Sequence, residues 1–247
     1  MKGTIKIFGI LNITPDSFSD GGKFFTFEKA LKQAKKLFAE GADYVDVGGQ
    51  STRPGAQEIT PDEEWNRTQF VIKNLIQQYP GKISLDTQYA ENAKKFLQLG
   101  GSVLNDVSGF QDEKMRELAA IYKPLVIVNH FPGKTIQEVH EQKISSIERV
   151  KNDLLSRKKE LIKAGILPEN IILDPGIGFG KTMKLNTKLL EFAIFVPGEK
   201  VLIGHSKKRF LGEGRFTIER NLQAAQVAIR AGAKYLRVHE VRPYRKH

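Results

Sequence analysis

The sequence predicts an α/β fold, a (β/α)8 barrel (a TIM barrel) built as a single domain over residues 1–247. Short apolar runs rich in β-branched residues alternate along the chain with longer segments of helical period, an order typical of βα units. Eight such runs occur in the 247 residues, and a barrel of eight βα units has about 250 residues. No linker, low-complexity tract or change of composition divides the sequence, so we predict one domain.

The eight predicted strands are continuous apolar runs rather than alternating ones. Strands of a parallel sheet have such sequences because both of their faces are buried. The predicted strands are Ile5–Leu11, Tyr44–Val47, Ile83–Leu85, Val103–Leu104, Leu125–Val128, Ile171–Leu173, Val201–Ile203 and Tyr235–Val238.

Apolar residues at helical spacing predict the helices between these strands. Two segments have the clearest pattern, formed by Phe27, Ala30, Leu31, Ala34, Leu37 and Phe38 and by Ile147, Val150, Leu154, Leu155, Leu161 and Ile162. Weaker patterns predict helices at Tyr89–Leu99, Glu113–Ile121 and Asn221–Ala231.

The eighth helix is predicted to be missing or truncated. Only Glu240–His247 follow the last predicted strand, and a full helix would need roughly 10 or more residues. Pro243 disfavours even a short helix in this segment. We therefore expect the barrel wall to be incomplete beside the eighth and first strands, or to be covered by another subunit. This leaves the formation of a homodimer open.

Composition and charge exclude several classes of protein. The absence of cysteine excludes disulfide bonds, thiolate zinc sites and cysteine nucleophiles. We find no signal peptide and no apolar run of the roughly 20 residues that span a bilayer, so we expect a cytoplasmic protein without a membrane partner. The net charge of +11 attracts anions. The lysines are spread over helical segments and no nucleic-acid motif is present, so we predict no nucleic-acid partner.

Polar side chains follow nearly every predicted strand. Active sites of such barrels lie at the carboxyl ends of the strands, which meet at one rim. The polar residues at these ends are Asn12, Asp46, Asp86, Asn105, Asp106, Asn129, His130, Asp174, His205, Ser206, Lys207, Lys208, Arg237 and His239. So many polar groups on one rim predict a ligand-binding site.

The segment LDPGIGFGKT, Leu173 to Thr182, is similar to a phosphate-binding P-loop. A P-loop would need glycine at position 175, which is proline here. We interpret the segment as a strand end with Asp174 at the barrel mouth, followed by a loop whose glycines let the backbone pass close to a ligand. Asp174 taken alone could equally be a turn or capping residue.

Six segments in order resemble the dihydropteroate synthase family, over essentially the whole chain. They are GILNITPDSFSDGG (Gly9–Gly22), DVGGQSTRPGA (Asp46–Ala56), NDVSG (Asn105–Gly109), LDPGIGFGK (Leu173–Lys181), GHSKKRFLG (Gly204–Gly212) and LRVHEV (Leu236–Val241). The resemblance implies a transferase with two small-molecule substrates, 6-hydroxymethyl-7,8-dihydropterin diphosphate and 4-aminobenzoate. The implied products are 7,8-dihydropteroate, a folate precursor, and diphosphate, which Mg²⁺ accompanies.

The resemblance assigns the pterin to Asp86, Asn105, Asp174 and Lys208. A carboxylate such as Asp174 can accept two charge-assisted hydrogen bonds from the guanidine-like edge of the ring. An amide such as Asn105 offers both a donor and an acceptor. The Asp86 charge would stabilise the positive charge that grows as diphosphate leaves, although a merely buried acid is the alternative. Asp86, Lys208 and Arg237 are the implied catalytic residues.

The same resemblance assigns the diphosphate to Asn12, Arg53, Arg237 and His239. Arginine offers a bidentate fork that lysine cannot copy. Asn12 is the implied contact of the magnesium ion, which prefers oxygen ligands and shares substrate phosphates, so one protein ligand suffices. His239 could instead be a structural histidine.

The implied 4-aminobenzoate pocket contains Thr52, Arg53, Pro54, Phe179 and Ser206, together with Lys208. The loops Thr14–Gly22 and Ser51–Ala56 would close over the reactants, as loops rich in Gly, Ser and Pro often do. The amine of 4-aminobenzoate is neutral and has a free lone pair, so we predict no catalytic dyad.

Three positions depart from the pattern of the resembled family. Position 50 is glutamine instead of glutamate, position 209 is arginine instead of serine, and position 240 is glutamate instead of aspartate. Arg209 would either bind the carboxylate of 4-aminobenzoate or turn outward.

Two other functions are compatible with parts of the sequence. A corrinoid methyltransferase dependent on methyltetrahydrofolate shares the carboxylate and asparagine, but it has no need of the diphosphate residues. A catalytically impaired pterin-binding homologue is suggested by Gln50 and by the short segment after the eighth strand.

Overall fold

The computed structural model describes residues 4–14, 23–51 and 55–245. Eight parallel strands form one sheet in the order β6-β5-β4-β3-β2-β1-β8-β7. The backbone N–H of Leu173 donates to the carbonyl of Lys200 at 2.8 Å, and this bond joins β6 to the start of β7 and closes the barrel. The strands are β1 Lys6–Asn12, β2 Tyr44–Gly48, β3 Ile83–Asp86, β4 Val103–Asp106, β5 Leu125–Asn129, β6 Ile171–Asp174, β7 Leu202–Ile203 and β8 Tyr235–Val238. The predicted TIM barrel is confirmed, with every predicted strand end within about two residues of the observed one.

Helices lie between successive strands. They are α1 Lys23–Ala39, α2 Pro61–Gln78, α3 Ala90–Gln98, α4 Glu113–Tyr122, α5 Ile136–Glu141, α6 Ile147–Lys163, α7 Met183–Lys188, α8 Phe192–Phe195 and α9 Ile218–Arg230. The five segments with predicted helical period correspond to α1, α3, α4, α6 and α9. Within the described ranges, no helix combines the length and apolar character that crossing a bilayer requires.

Helix α2 was missed by the periodicity analysis, although its start is marked in the sequence. The Thr60 hydroxyl accepts a hydrogen bond from the Glu63 backbone N–H at 3.2 Å, and proline occupies the first helical position. Asp62, Glu63 and Glu64 fill the first turn, where the helix dipole favours negative charge. A capping residue, a proline and acids therefore mark the start of this helix in the sequence.

The barrel interior has an apolar plug, made of Phe8, Val103, Ile127, Ile172, Leu202 and Tyr235. Successive side chains of a strand point to opposite faces, so the residue two positions further on faces inward again. From the plug residues of β4, β5, β6 and β8, this step leads to Asn105, Asn129, Asp174 and Arg237. The alternation therefore places a polar layer directly above the plug, at the carboxyl ends of the strands.

The described chain after β8 forms a 3-10 turn, Arg242–Arg245, and no eighth α-helix is present up to residue 245. Val241 and Tyr244 are buried in the core beside the barrel. The Arg245 guanidinium donates to the carbonyls of Gly41 at 2.9 Å and Ile5 at 3.0 Å, which ties this turn to the base of β1. The described residues thus lack a full eighth helix, as predicted, and the short turn fills part of the expected gap in the wall.

Candidate active site

Arg237 on β8 forms salt bridges with two acids at the barrel mouth. Its Nε donates to Asp46 Oδ2 at 2.6 Å and its Nη2 donates to Asp86 Oδ2 at 2.6 Å. Burial works to lower the pKa of Arg237, but the two carboxylates outweigh this effect and raise the pKa. The guanidinium is therefore a permanent charge, and its two bonds fix its orientation within the mouth.

Asp46 was named from the sequence only as a polar strand end, and the structure makes it a structural partner of the predicted site residues. Its side chain is fully buried, and its Oδ2 also accepts a hydrogen bond from Asn105 Nδ2 at 2.9 Å. An aspartate in the middle of the apolar run YVDVG, on a strand buried on both faces, is the signal that could have identified it.

Asp86 lies in the same row as Asn12, across the glycine at position 48. The strand registers pair Asn12 with Gly48 and Gly48 with Asp86. Burial raises the pKa of Asp86, and the Arg237 guanidinium opposes this shift. A Cβ at position 48 would lie 3.6 Å from Asp86 Oδ2 and 3.7 Å from Asn12 Oδ1. The glycine leaves these two oxygens with free space between them.

Asp174 lies on the other side of the mouth, at the end of β6. Its Oδ1 accepts a hydrogen bond from the Gly176 backbone N–H at 2.7 Å. Burial raises the pKa of Asp174, and the charges of Lys208 and Arg237 oppose the shift. A Cβ at Gly204 would lie 3.6 Å from Asp174 Oδ2 and 4.0 Å from Arg237 Cβ, so the acid and the guanidinium share one rim.

Lys208 stands between Asp174 and the predicted 4-aminobenzoate pocket. Its ammonium donates to the carbonyl of Ile177 and lies 5.2 Å from the centre of the Phe179 ring. Burial lowers the pKa of Lys208 to about 8, although the Asp174 carboxylate acts to raise it. The lysine is thus a cation whose charge is sensitive to pH near neutrality.

The lysine of the P-loop-like segment donates hydrogen bonds to backbone carbonyls of the protein itself. Lys181 is buried, and its amine donates to the carbonyls of His130 at 3.2 Å and Phe179 at 2.8 Å. Burial lowers its pKa well below the usual range. Gly176 lets the loop pass close to the backbone of His130. Its φ of 64° is left-handed, and no side chain separates it from the His130 carbonyl. The segment is a loop braced by its own lysine, in agreement with its interpretation as a strand end.

We expect Gly176→Ala to destabilise the protein strongly. A Cβ at this position would lie 2.3 Å from the carbonyl oxygen of His130. Gly198→Ala is the matched control, because Gly198 has φ of 86° and nothing within 4 Å of the added carbon. The control should cost about 1–2 kcal/mol for the left-handed backbone alone. In urea unfolding, Gly176→Ala should cost more than about 4 kcal/mol, and equal costs for both variants would contradict the close contact.

Ser206 and His239, which were predicted to bind different parts of the substrates, contact each other. His239 Nδ1 and the Ser206 hydroxyl oxygen are 3.0 Å apart. Lys207 adopts φ of 59°, and its ammonium pairs with Glu240 at 2.9 Å. These contacts hold the ends of β7 and β8 together, and Glu240 gains a structural role as the partner of a lysine.

The remaining predicted site residues fall into two groups. Thr52, Arg53 and Pro54 lie outside the described residues, as do residues 15–22 of the predicted lid Thr14–Gly22. Arg209 is exposed, in keeping with the outward alternative. Gln50 Oε1 accepts a hydrogen bond from the Tyr89 hydroxyl at 3.2 Å, and a glutamate oxygen could accept the same bond.

His130, which the sequence did not assign, lies outside the polar layer. Its Nε2 is 3.1 Å from Asp153 Oδ2, and burial lowers its pKa to about 4. It borders an open cavity of about 250 Å³ that is also lined by Asn129, Asp153 and Arg157. His130 is therefore a neutral, largely structural side chain beside the mouth.

Fold and site together define a barrel enzyme whose mouth sets buried acids beside cations, with Arg237 bonded to Asp46 and Asp86 and with Lys208 near Asp174. The protein-family model described as "Pterin binding enzyme" matches residues 8–239. The dihydropteroate synthase of Streptococcus pyogenes serotype M3 is 38% identical over 98% of this chain and 92% of that protein. The chain therefore belongs to the dihydropteroate synthase family of pterin-binding enzymes.

Solved structures of related proteins agree with this assignment. The Xanthomonas albilineans dihydropteroate synthase with 4-aminobenzoic acid has a TM-score of 0.88 and 34% identity, covering 97% of this chain and 89% of that one. The enzyme of the same organism in complex with 7,8-dihydropteroate has a TM-score of 0.84 and 30% identity, covering 99% and 91%.

Proposed function

We propose that this protein condenses 6-hydroxymethyl-7,8-dihydropterin diphosphate with 4-aminobenzoate, giving 7,8-dihydropteroate and diphosphate. The observation that carries the proposal is the polar layer, in which Asp174 faces Arg237 across Gly204. The related Xanthomonas structures, which hold 4-aminobenzoic acid and 7,8-dihydropteroate, support the substrate and the product. The protein acts in the cytoplasm.

The pterin lies between Asp174 and Lys208. Asp174 Oδ1 is held by the Gly176 N–H, which leaves Oδ2 and the remaining lone pairs for the amino and ring N–H donors of the heterocycle. The Lys208 ammonium can leave its carbonyl partner and donate to the ring carbonyl and a ring nitrogen. Asp86, whose charge is partly offset by Arg237, faces the carbon that loses diphosphate and stabilises its developing positive charge.

The diphosphate lies on the Arg237 and His239 side of the mouth, and Arg53 belongs to the same set as a prediction. The exposed fifth of the Arg237 side chain leaves donors for a phosphate oxygen while the two acids hold the group in place. A cation fixed before the substrate arrives needs no reorganisation when the leaving group gains charge.

Asn12 fits the predicted contact with magnesium. Its side-chain oxygen adjoins the open space at Gly48, close to Asp86, and hard oxygen atoms are the ligands that Mg²⁺ prefers. Within the described ranges no cluster of three or more acidic, histidine or cysteine side chains could hold a metal. Asn12 would thus bind the ion together with substrate phosphate oxygens, and the ion would supply charge neutralisation for the leaving diphosphate.

Activity is expected to fall as the pH rises through about 8, the pKa to which burial lowers Lys208. Below this pH the amine is protonated and can donate to the pterin, whereas above it the charge is lost. The Lys208→Arg variant should lack this decline, because a guanidinium stays protonated over the whole range. The measurement is kcat/KM for the pterin substrate against pH, and an identical decline in both proteins would assign it to another group.

The proposed function is tested by separating binding from turnover. Calorimetry with the dihydropterin diphosphate and Mg²⁺ should show binding, and addition of 4-aminobenzoate should release diphosphate. Binding without release would favour the catalytically impaired homologue. Absence of binding would contradict the pterin site itself.

A further inference from the structure

We propose that Asn129 is a specificity residue which accepts a hydrogen bond from the exocyclic amino group of the pterin, beside the Asp174 carboxylate. The inference rests on the proposed function, since it names the part of that substrate which Asn129 contacts. Asn129 ends β5 and lies outside the six segments that carry the resemblance to the family.

The strand register places Asn129 next to the acid that holds the heterocycle. Asn129 and Asp174 are paired residues of β5 and β6. Ile127, two positions earlier, belongs to the interior plug, so the Asn129 side chain also faces into the barrel. On its other side, Asn129 contacts Asn105 of β4.

A directed chain of hydrogen bonds fixes which end of the Asn129 amide faces the mouth. Asp46 Oδ2 accepts from Arg237 and from Asn105 Nδ2, so the Asn105 amide must present its NH₂ group to that acid. Asn105 Oδ1 then points to Asn129, which must donate through its own Nδ2 at 2.9 Å. The same Nδ2 is 3.4 Å from the Asp106 carbonyl. Asp46, the acid at the start of this series of hydrogen bonds, thus orients both asparagines.

This orientation leaves Asn129 Oδ1 as the polar atom that a ligand can reach. Among the residues that the structure describes, none donates a hydrogen bond to Asn129 Oδ1. This oxygen is also not among the atoms that the protein encloses completely. The mouth therefore presents a neutral acceptor directly beside a carboxylate.

The chemistry of the pterin edge matches this pair of acceptors. A carboxylate that grips the edge in a fork takes one hydrogen of the exocyclic amino group and the ring N–H. The second amino hydrogen then needs another acceptor, because a buried unpaired N–H costs about 1–3 kcal/mol. Asn129 Oδ1 supplies that acceptor, so the pair Asp174 and Asn129 reads both hydrogens of one amino group.

The test compares two ligands on two proteins by calorimetry. The ligands are 6-hydroxymethylpterin and the same compound without its exocyclic amino group, and the proteins are the wild type and Asn129→Leu. Loss of the amino group should weaken binding in both, because Asp174 remains. The quantity compared is the dissociation constant of the compound without the amino group divided by that of 6-hydroxymethylpterin. We expect this ratio to be about tenfold smaller in Asn129→Leu than in the wild type, which corresponds to the loss of one hydrogen bond.

Two further variants keep the test decisive. Asn129→Ala gives the same readout if the leucine variant does not fold, and Asn129→Gln, which retains both the donor and the acceptor, should preserve most of the wild-type ratio. An unchanged ratio in Asn129→Leu or Asn129→Ala overturns this inference alone. A wild-type protein that binds neither compound overturns the proposed function and this inference together.

Discussion

Replacement of Arg237 by methionine is expected to lower kcat/KM by about 10²–10³, the usual effect of losing one preorganised charge. It should also lower the free energy of unfolding by about 3–5 kcal/mol, because Asp46 and Asp86 would remain buried without their cation. The loss of stability should be smaller in acid, where protonation removes the repulsion between the two carboxylates.

Two variants separate charge from geometry at this position. Arg237→Lys keeps a positive charge but lacks the fork that reaches both acids, so it should recover part of the stability and little of the activity. Arg230→Met is the control, since Arg230 is exposed on α9, and both quantities should stay unchanged. Wild-type kcat/KM in Arg237→Met would show that the guanidinium takes no part in the reaction.

Replacement of Asp174 by asparagine should abolish most pterin binding while the fold remains intact. The carboxylate is expected to make two charge-assisted bonds, each of about 1.5–3 kcal/mol. Their loss corresponds to a dissociation constant higher by about 10² to 10⁴. Burial raises the pKa of Asp174 in the folded state, so its ionised form lowers stability at neutral pH. The neutral amide should therefore leave the thermal midpoint unchanged or higher.

Asp153→Asn is the matched control for this substitution. Asp153 is a carboxylate beside the cavity at His130, outside the polar layer. Calorimetry with the dihydropterin diphosphate should give a wild-type dissociation constant for Asp153→Asn. A large loss of thermal stability in Asp174→Asn would instead show that the acid serves the fold.

The strands and the identity of the rim could be predicted from the sequence because both depend on local signals. Continuous apolar runs define strands buried on both faces, and the residue after each run lies at the carboxyl end. Helix α2 was missed although Trp65, Val71, Ile72 and Leu75 recur at helical spacing and its start is marked by a cap, so the sequence did contain its signal.

The partners within the polar layer could not be predicted. Arg237 and Asp46 are 191 positions apart in the chain, and their contact depends on β1 pairing with both β8 and β2. Asn129 was seen only as a polar strand end, since its orientation depends on a chain of bonds that starts at Asp46. The sequence places Lys181 in the loop after β6 but gives no sign of the two carbonyls to which its amine donates. Contacts of this kind depend on which strands are neighbours in the barrel and not on local sequence.

The apolar plug beneath the polar layer has a consequence for engineering. Because the plug holds the strands together from below, the reactive tips can be exchanged for other chemistry without opening the barrel. Buried polar atoms below these tips carry a cost, since Asp46 Oδ1 and Ser84 Oγ are enclosed without a partner in the described chain. Selection for heat resistance alone would therefore favour apolar replacement of the whole group of Arg237, Asp46 and Asp86, and would yield a more stable but inactive protein.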